Sequence, residues 1–191
     1  MITTTPSPTR KPASRRRGFT LVEVMIAAAL STFLLTAIMS TFLFMGRSGV
    51  NLQNYTDMES QGRRALERFA EDVRQASAIS YTTANHLTLT VNGASIQYKY
   101  DSGTKIFSRI AGGTTINLIT KIVDGSFAFK AYNVLGTELS LSSAAALTAA
   151  GTNTKQLQIS LQASRTDKTV AQATNLVLSA RYILRNKIVT A

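Results

Sequence analysis

Arg15-Arg16-Arg17-Gly18-Phe19-Thr20-Leu21-Val22-Glu23, followed by the apolar residues 24–45, is the stretch around which the chain is organised. Residues 24–45 contain no Asp, Glu, Lys, Arg or His. At about 1.5 Å per helical residue they would span roughly 33 Å, close to the ~30 Å of a bilayer core. Lipid offers no partner for backbone polar groups, so such a run crosses only as a helix, and its Ala, Leu, Met and Phe content suits one. Arg10, Lys11, Arg15, Arg16 and Arg17 precede the run and only Arg47 follows closely. That asymmetry keeps the N-terminus in the cytoplasm and places everything after Arg47 outside. Glu23 stands near the start of the span, where a carboxylate is costly and usually has a partner. Taken alone, it is equally satisfied at interface depth by headgroups. An ordinary secretory signal fits poorly, because its apolar region is shorter and its cleavage site follows that region.

A basic leader ending in Gly18, followed by Phe19-Thr20-Leu21-Val22-Glu23, resembles the processing site of type IV prepilins and type II secretion pseudopilins. The resemblance implies recognition of Arg15, Arg16, Arg17, Gly18, Thr20 and Leu21 by a prepilin peptidase. It also implies cleavage after Gly18, N-methylation of the new Phe19 amine, and an assembly role for Glu23 as the fifth mature residue. Physical reasons for these residue types can be given. Gly18 lets a peptidase cleft approach the backbone closely. The freed Phe19 amine is a cation that a carboxylate attracts strongly in low dielectric. If a neighbouring subunit supplies that amine, the pairing sets axial register in a filament of stacked helices.

The expected organisation is a cleaved leader at residues 1–18, a membrane and filament-core helix at 19–45, an amphipathic continuation at 46–78 and a β-rich head at 79–191. All three prolines (Pro6, Pro8, Pro12) lie in the leader, which has no apolar period. Removing it takes away five of the 21 basic residues and none of the ten acidic ones, which lowers the net charge from +11 to +6. Most of the apparent basicity is leader, and this weakens a nucleic-acid reading. The chain has no Cys, so the head is held without disulfides.

Gly46, Gly49 and Gly62 weaken the helix locally and suggest hinges rather than ends. Over residues 56–77, Met58, Leu66, Phe69, Val73 and Ala76 share one face. Arg63, Arg64, Glu67, Arg68, Glu71, Asp72 and Arg74 occupy the opposite, solvated side, with Arg64/Arg68 and Arg68/Asp72 among its four-apart pairs. After Ile79 the period becomes two. Leu87, Leu89 and Val91 alternate up to Asn92-Gly93, a tight-hairpin pair, and Ile96, Tyr98 and Tyr100 alternate on the return. Further strands are expected at 105–110, 115–119 after a Gly112-Gly113 turn, 122–132 and 139–141. Residues 142–154 suggest a surface loop with at most a helical turn. Leu157, Ile159, Leu161 and Ala163 form a half-buried strand, paired through a turn at 166–168 with Leu176, Leu178, Ala180, Tyr182 and Leu184. Strands after one long helix, without β-α alternation, indicate an α+β class with a mostly antiparallel sheet. The architecture expected is pilin-like.

Residues 64–76 resemble the helix end of minor pseudopilin J and the related minor pilin W, as do the strands at 96–100 and 123–132 and the closing residues 183–186. The resemblance implies a non-enzymatic subunit of a type II secretion pseudopilus, in the inner membrane by a single span with its head periplasmic. Its partners would be other minor and major pseudopilins or pilins, the prepilin peptidase and the inner-membrane assembly platform. A minor pilin of a type IV pilus shares these features. A membrane-tethered DNA- or ligand-binding module would instead need a clustered basic or a concave surface on the head. No catalytic, cofactor or metal site is expected. His86 is the only histidine, which leaves a His triad or multi-histidine site without members. Asp101-Ser102-Gly103 offers one carboxylate where calcium needs several, so a hairpin turn fits better. Tyr81, Tyr98, Tyr100 and Tyr132 alternate in strands as core or rim residues, and the lysines are scattered.

Overall fold

The computed structural model describes residues 18–165 and 174–189, in two units that meet between Gly46 and Arg47. The leader's Arg15, Arg16 and Arg17 and the turn expected at 166–168 lie outside the described residues. Helix α1 is Leu21–Gln75, 55 residues long, and it passes through all three glycines without a break. Up to Gly46 its large apolar side chains are exposed, Phe33 to 74% and Phe44 to 72%. The hydroxyls of Thr32, Thr36 and Thr41 each donate to the carbonyl four residues earlier, at 2.8–3.0 Å. These threonines therefore satisfy their own polarity and leave the segment apolar outward.

The second unit joins the later part of α1 to two antiparallel sheets. Strands β1 (Ala76–Thr83), β2 (His86–Val91), β3 (Ala94–Asp101), β4 (Ile106–Ala111) and β5 (Thr114–Ile119) form one sheet in chain order. Strands β6 (Ala128–Tyr132), β7 (Glu138–Leu139), β8 (Gln156–Arg165) and β9 (Thr174–Ile183) form the other in the order β7-β6-β8-β9. The expected Asn92-Gly93 hairpin is present, with φ of 49° and 79°, and it places Leu89 opposite Ile96. β8 and β9 pair over ten residues without a register shift.

Phe69 is the centre of the core. Its fully buried ring lies 4.9 Å from that of Tyr98 and 6.3 Å from Phe107 on the first sheet, and 6.0 Å from Phe129 and 5.9 Å from Tyr182 on the second. Met58 and Val73 are buried on the same face, as expected, and Leu66 is half-buried; Ala76, expected on that helix face, is instead buried as the first residue of the strand that follows. Gly62 is a packing glycine rather than a hinge. A Cβ there would come within 2.8 Å of Leu178 Cδ1 and 3.3 Å of Leu176 Cδ2, so its bare backbone lets α1 approach β9.

Several local expectations are corrected. Asp72 is buried, not solvated, and α1's charged side pairs Arg68 with Glu71 at 3.0 Å rather than with Asp72. α1 stops at Gln75 and β1 begins at once, a strand that the period change at Ile79 signalled only in part. Residues 122–132 are not one strand. Lys121 and Gly125 take positive φ of 60° and 73°, and only Ala128–Tyr132 joins the sheet, while buried Ile122 makes an isolated bridge to Ala163. The expected loop at 142–154 is largely a helix, α2 (Ala144–Asn153), whose N-cap Ser143 accepts from the Ala146 amide at 3.2 Å. Lys187 caps its other end, its Nζ donating to the Thr152 carbonyl at 2.5 Å and the Thr154 carbonyl at 3.0 Å. Burial, and secondly the nearby Lys155 charge, hold the Lys187 ammonium below the ordinary lysine range.

Candidate functional site

Gly18, Phe19 and Thr20 precede α1 in non-regular, exposed backbone. A Cβ on Gly18 would meet nothing within 4 Å. The described packing thus gives no reason for glycine there, and the reason has to come from whatever approaches the chain. Phe19 is 87% exposed and Leu21 80%.

Thr20 and Glu23 are joined more closely than their spacing alone conveyed. The Glu23 carboxylate accepts from the Thr20 amide at 2.8 Å and from the Thr20 hydroxyl at 3.0 Å. The Thr20 hydroxyl in turn accepts from the Glu23 amide at 3.2 Å, and the Thr20 carbonyl takes the first helical hydrogen bond, from Val24 at 3.2 Å. This is a capping box: two amides that a helix start leaves without partners are satisfied reciprocally. The sequence signal, a Thr followed three residues later by Glu before an apolar run, was legible. Both contacts involve one carboxylate oxygen, Oε2, so the other retains its lone pairs.

The remaining candidates are accounted for by the head's own structure. His86 is half-buried with Nε2 3.3 Å from Gln97 Oε1 across the β2–β3 pair. Asp101 Oδ1 accepts from the amides of Gly103 at 2.9 Å and Thr104 at 3.3 Å, closing the β3–β4 turn. Among the described residues no group of three His, Cys, Asp or Glu could hold a metal ion. Tyr81, Tyr98, Tyr100 and Tyr132 are buried and offer no ring face for a base to stack on. Open grooves among the described residues of the head include two next to charged side chains. One, of about 730 Å³, lies between α1 and β9 with Leu66, Ala70, Leu178 and Tyr182 in its floor and mixed charges along its rim. The other, of about 430 Å³, is lined by Lys105, Lys121, Asp124 and Ser164, and its Lys105 pairs with Asp124 at 2.8 Å.

A polar cluster missed from the sequence ties α1 to the first sheet. Asp72 Oδ2 accepts from Arg109 Nε at 2.6 Å and from the Tyr98 hydroxyl at 2.6 Å, all within the core. Burial first, then the hydrogen bond to Asp72 and that carboxylate's charge, push the Tyr98 hydroxyl far above the usual tyrosine range. The cluster is enclosed and opens into neither groove, so its chemistry is structural.

Residues 13–39 match the family described as Prokaryotic N-terminal methylation motif. No curated protein and no solved structure matches the chain. The matched residues contain Gly18, Phe19, Thr20, Leu21 and Glu23 and run on into the one helix, among the described residues, that is long and apolar enough to cross a membrane. The chain therefore carries a prokaryotic N-terminal methylation motif at the head of an apolar helix that leads into an α+β, pilin-like architecture, and this supports its reading as a structural subunit of the type IV pilin and pseudopilin kind.

Proposed function

We propose that the chain is a minor pseudopilin of a type II secretion pseudopilus, of the J group and placed at or near the filament tip, which works by assembly and not by catalysis. A prepilin peptidase recognises Arg15 to Leu21, cleaves between Gly18 and Phe19, and the Phe19 amine is methylated. Residues 1–18 are the leader, 19–45 the membrane and filament-core segment, 46–75 its amphipathic continuation, and the β-rich periplasmic head follows from Ala76. Before assembly the subunit is stored in the inner membrane with its N-terminus cytoplasmic. The assembly platform then hands it to neighbouring major and minor subunits.

The observation that carries this reading is the methylation motif over residues 13–39, set on a helix start whose apolar surface is exposed throughout. An exposed surface of that kind requires lipid or other apolar helices around it. The capping box supplies a reason for Thr20 as well as Glu23. Thr20 fixes the carboxylate at the helix start while leaving Oε1 for a cationic amine from a neighbour. Cleavage after Gly18 keeps the Thr20 amide, so the box survives processing.

The test is the mass of the chain recovered from cells that contain the peptidase. Wild type should lack residues 1–18 and carry one methyl group. Gly18→Ala should keep the leader, and Glu23→Ala should be cleaved yet fail to enter filaments. A wild-type chain that retains its leader, or Glu23→Ala filaments formed at the wild-type level, would overturn the proposal. The minor pilin of a type IV pilus gives the same masses. Neighbouring genes for a secretin and a secretion ATPase, as against a retraction ATPase and a major pilin, separate the two.

A further inference from the structure

Unpaired edges of β-sheets invite another strand, and soluble folds usually blunt them. Of the four sheet edges among the described residues, β1 is covered by α2, where a Cβ on Gly151 would lie 3.2 Å from the Ile79 carbonyl oxygen. β7 is only two residues long, and β5 has six. β9 runs for ten residues, with no proline and no bulge against β8. Its one charged side chain, Arg181, is turned back over its own sheet, 3.6 Å from the centre of the Tyr132 ring of β6 and 2.9 Å from Gln158 Oε1 of β8, so it does not guard the edge. Alternate residues of an antiparallel strand turn their N–H and C=O away from the neighbour already paired. Among the described residues no backbone group other than those of β8 pairs with β9. Val177 is 72% exposed and Ile183 53%, which leaves two large apolar side chains of this edge in solvent.

The polarity of the free edges decides what can pair there. β9 runs with α1, because Gly62 lies against Leu176 and Leu178 while Phe69 and Arg74, further along the helix, meet Tyr182. β5 runs against it. β1 starts where α1 ends, the first sheet alternates strand by strand, and Ile122 beyond β5 bridges to Ala163, the partner of Leu176. A subunit anchored beside this one in the same membrane has its α1 in the same sense, so two β9 edges cannot meet antiparallel. A neighbour of the same architecture offers instead an edge like β5. Resting on the pseudopilin reading above, we propose that β9 receives, antiparallel, the edge strand of a neighbouring, non-identical pseudopilin, a neutral segment that runs against its own α1. β9 to β5 between identical copies would repeat without closing into an open row of one subunit, which does not suit a minor component. Every second side chain of the incoming strand enters the groove over Leu66, Ala70, Leu178 and Tyr182, and the others cover Val177 and Ile183. The groove's rim carries both signs, Glu67 and Glu71 beside Arg63 and Arg74, so it sets no single-sign field against a neutral strand. β5 of this chain shows the chemistry required: Thr114 to Ile119 hold no charge, and Ile116 is half-exposed.

The test places photo-reactive p-benzoylphenylalanine at Val177 or Ile183 of the full-length chain, in host cells with their complete set of pseudopilin genes, and at exposed Ser102 as a control. After irradiation, linked products are identified by mass spectrometry. Positions 177 and 183 should both link to one other protein with an N-terminal methylation motif, and 102 should not. The partner residue reached from 183 should precede the one reached from 177 by about six positions, since a strand covers those ~20 Å at about 3.3 Å per residue; a helix would need about thirteen. Val177→Lys, a charge of the kind that guards natural edges, should abolish the link from 183 without moving the melting midpoint of the head, and Val177→Thr should keep it. A link from 183 that survives Val177→Lys, the reverse order or helical spacing of the linked residues, a product of two copies of this chain, or a partner without the motif would each overturn the proposal. The same spectra report the leader. A processed chain whose positions 177 and 183 link no more than 102 removes this inference alone, whereas a chain that keeps residues 1–18 removes the pseudopilin reading and the inference with it.

Discussion

Asp72 stands in sequence among Arg68, Glu71 and Arg74, and a helical wheel drawn from α1 alone assigns it to their solvated side. In the fold its carboxylate is 6% exposed and Arg109 comes to it at 2.6 Å from β4. Removing one partner of a buried pair leaves the other charge uncompensated, a cost of about 3–5 kcal/mol. Asp72→Ala in the full chain should therefore lower the denaturation midpoint of the head strongly. Asp72→Leu combined with Arg109→Met should recover most of that loss, because the apolar pair removes both desolvation costs. Chemical denaturation followed by circular dichroism checks both. Tyr98 adds a pH dependence. Its hydroxyl is held protonated in the fold well above its ordinary value near 10, so the native state keeps a proton that the unfolded chain releases. Its contribution to stability is complete below about pH 10 and falls as the pH rises beyond that value. Tyr98→Phe should flatten the loss of stability between pH 9 and 11 relative to wild type, seen as a smaller shift of the melting midpoint; an unchanged slope would contradict this.

At the scale of the element, Phe69 explains how a single helix serves two sheets. One ring meets aromatic partners on β3 and β4 on one side and on β6 and β9 on the other. Phe69→Ala should cost about 3–5 kcal/mol, the range for truncating a buried aromatic, and should loosen both sheets together. Hydrogen exchange would register this as faster opening of β3 and β8 alike, whereas an effect confined to one sheet would count against a shared core. α2 is a different case. Its many small residues read as loop-like, yet alanine has the highest helix propensity and Ser143 caps the N-terminus, so the segment forms a helix. Docking on β1 then holds it, with Gly151 allowing close approach to Ile79.

For the whole molecule the decisive quantity is the apolar surface of the first unit, which nothing within that unit covers. The apolar N-terminal helix suggests membrane anchoring. A charge near the middle of a span costs about 2.5–3.5 kcal/mol by insertion scales. Leu34→Arg with Ile38→Arg should therefore move the chain out of the carbonate-resistant membrane fraction, while the same pair of changes to Leu should leave it there. Retention of the double-Arg variant in that fraction would contradict anchoring by this segment.

What the sequence determined by itself was whatever depends on neighbours along the chain. The apolar run, the Gly18-Phe19 junction, the period-two strands and the Asn92-Gly93 turn are local patterns, and a local pattern is set by backbone sterics and side-chain spacing. The capping box of Thr20 and Glu23 belongs to that class too, since it joins residues three apart. Only the tertiary structure decided that the nine strands among the described residues divide into two sheets, that residue 122 bridges to 163 while 128–132 forms the strand, and that Asp72 turns inward. Each of these rests on a partner dozens of residues away, and burial of a carboxylate is favourable only once that partner's charge is in place. No spacing within α1 could announce Arg109.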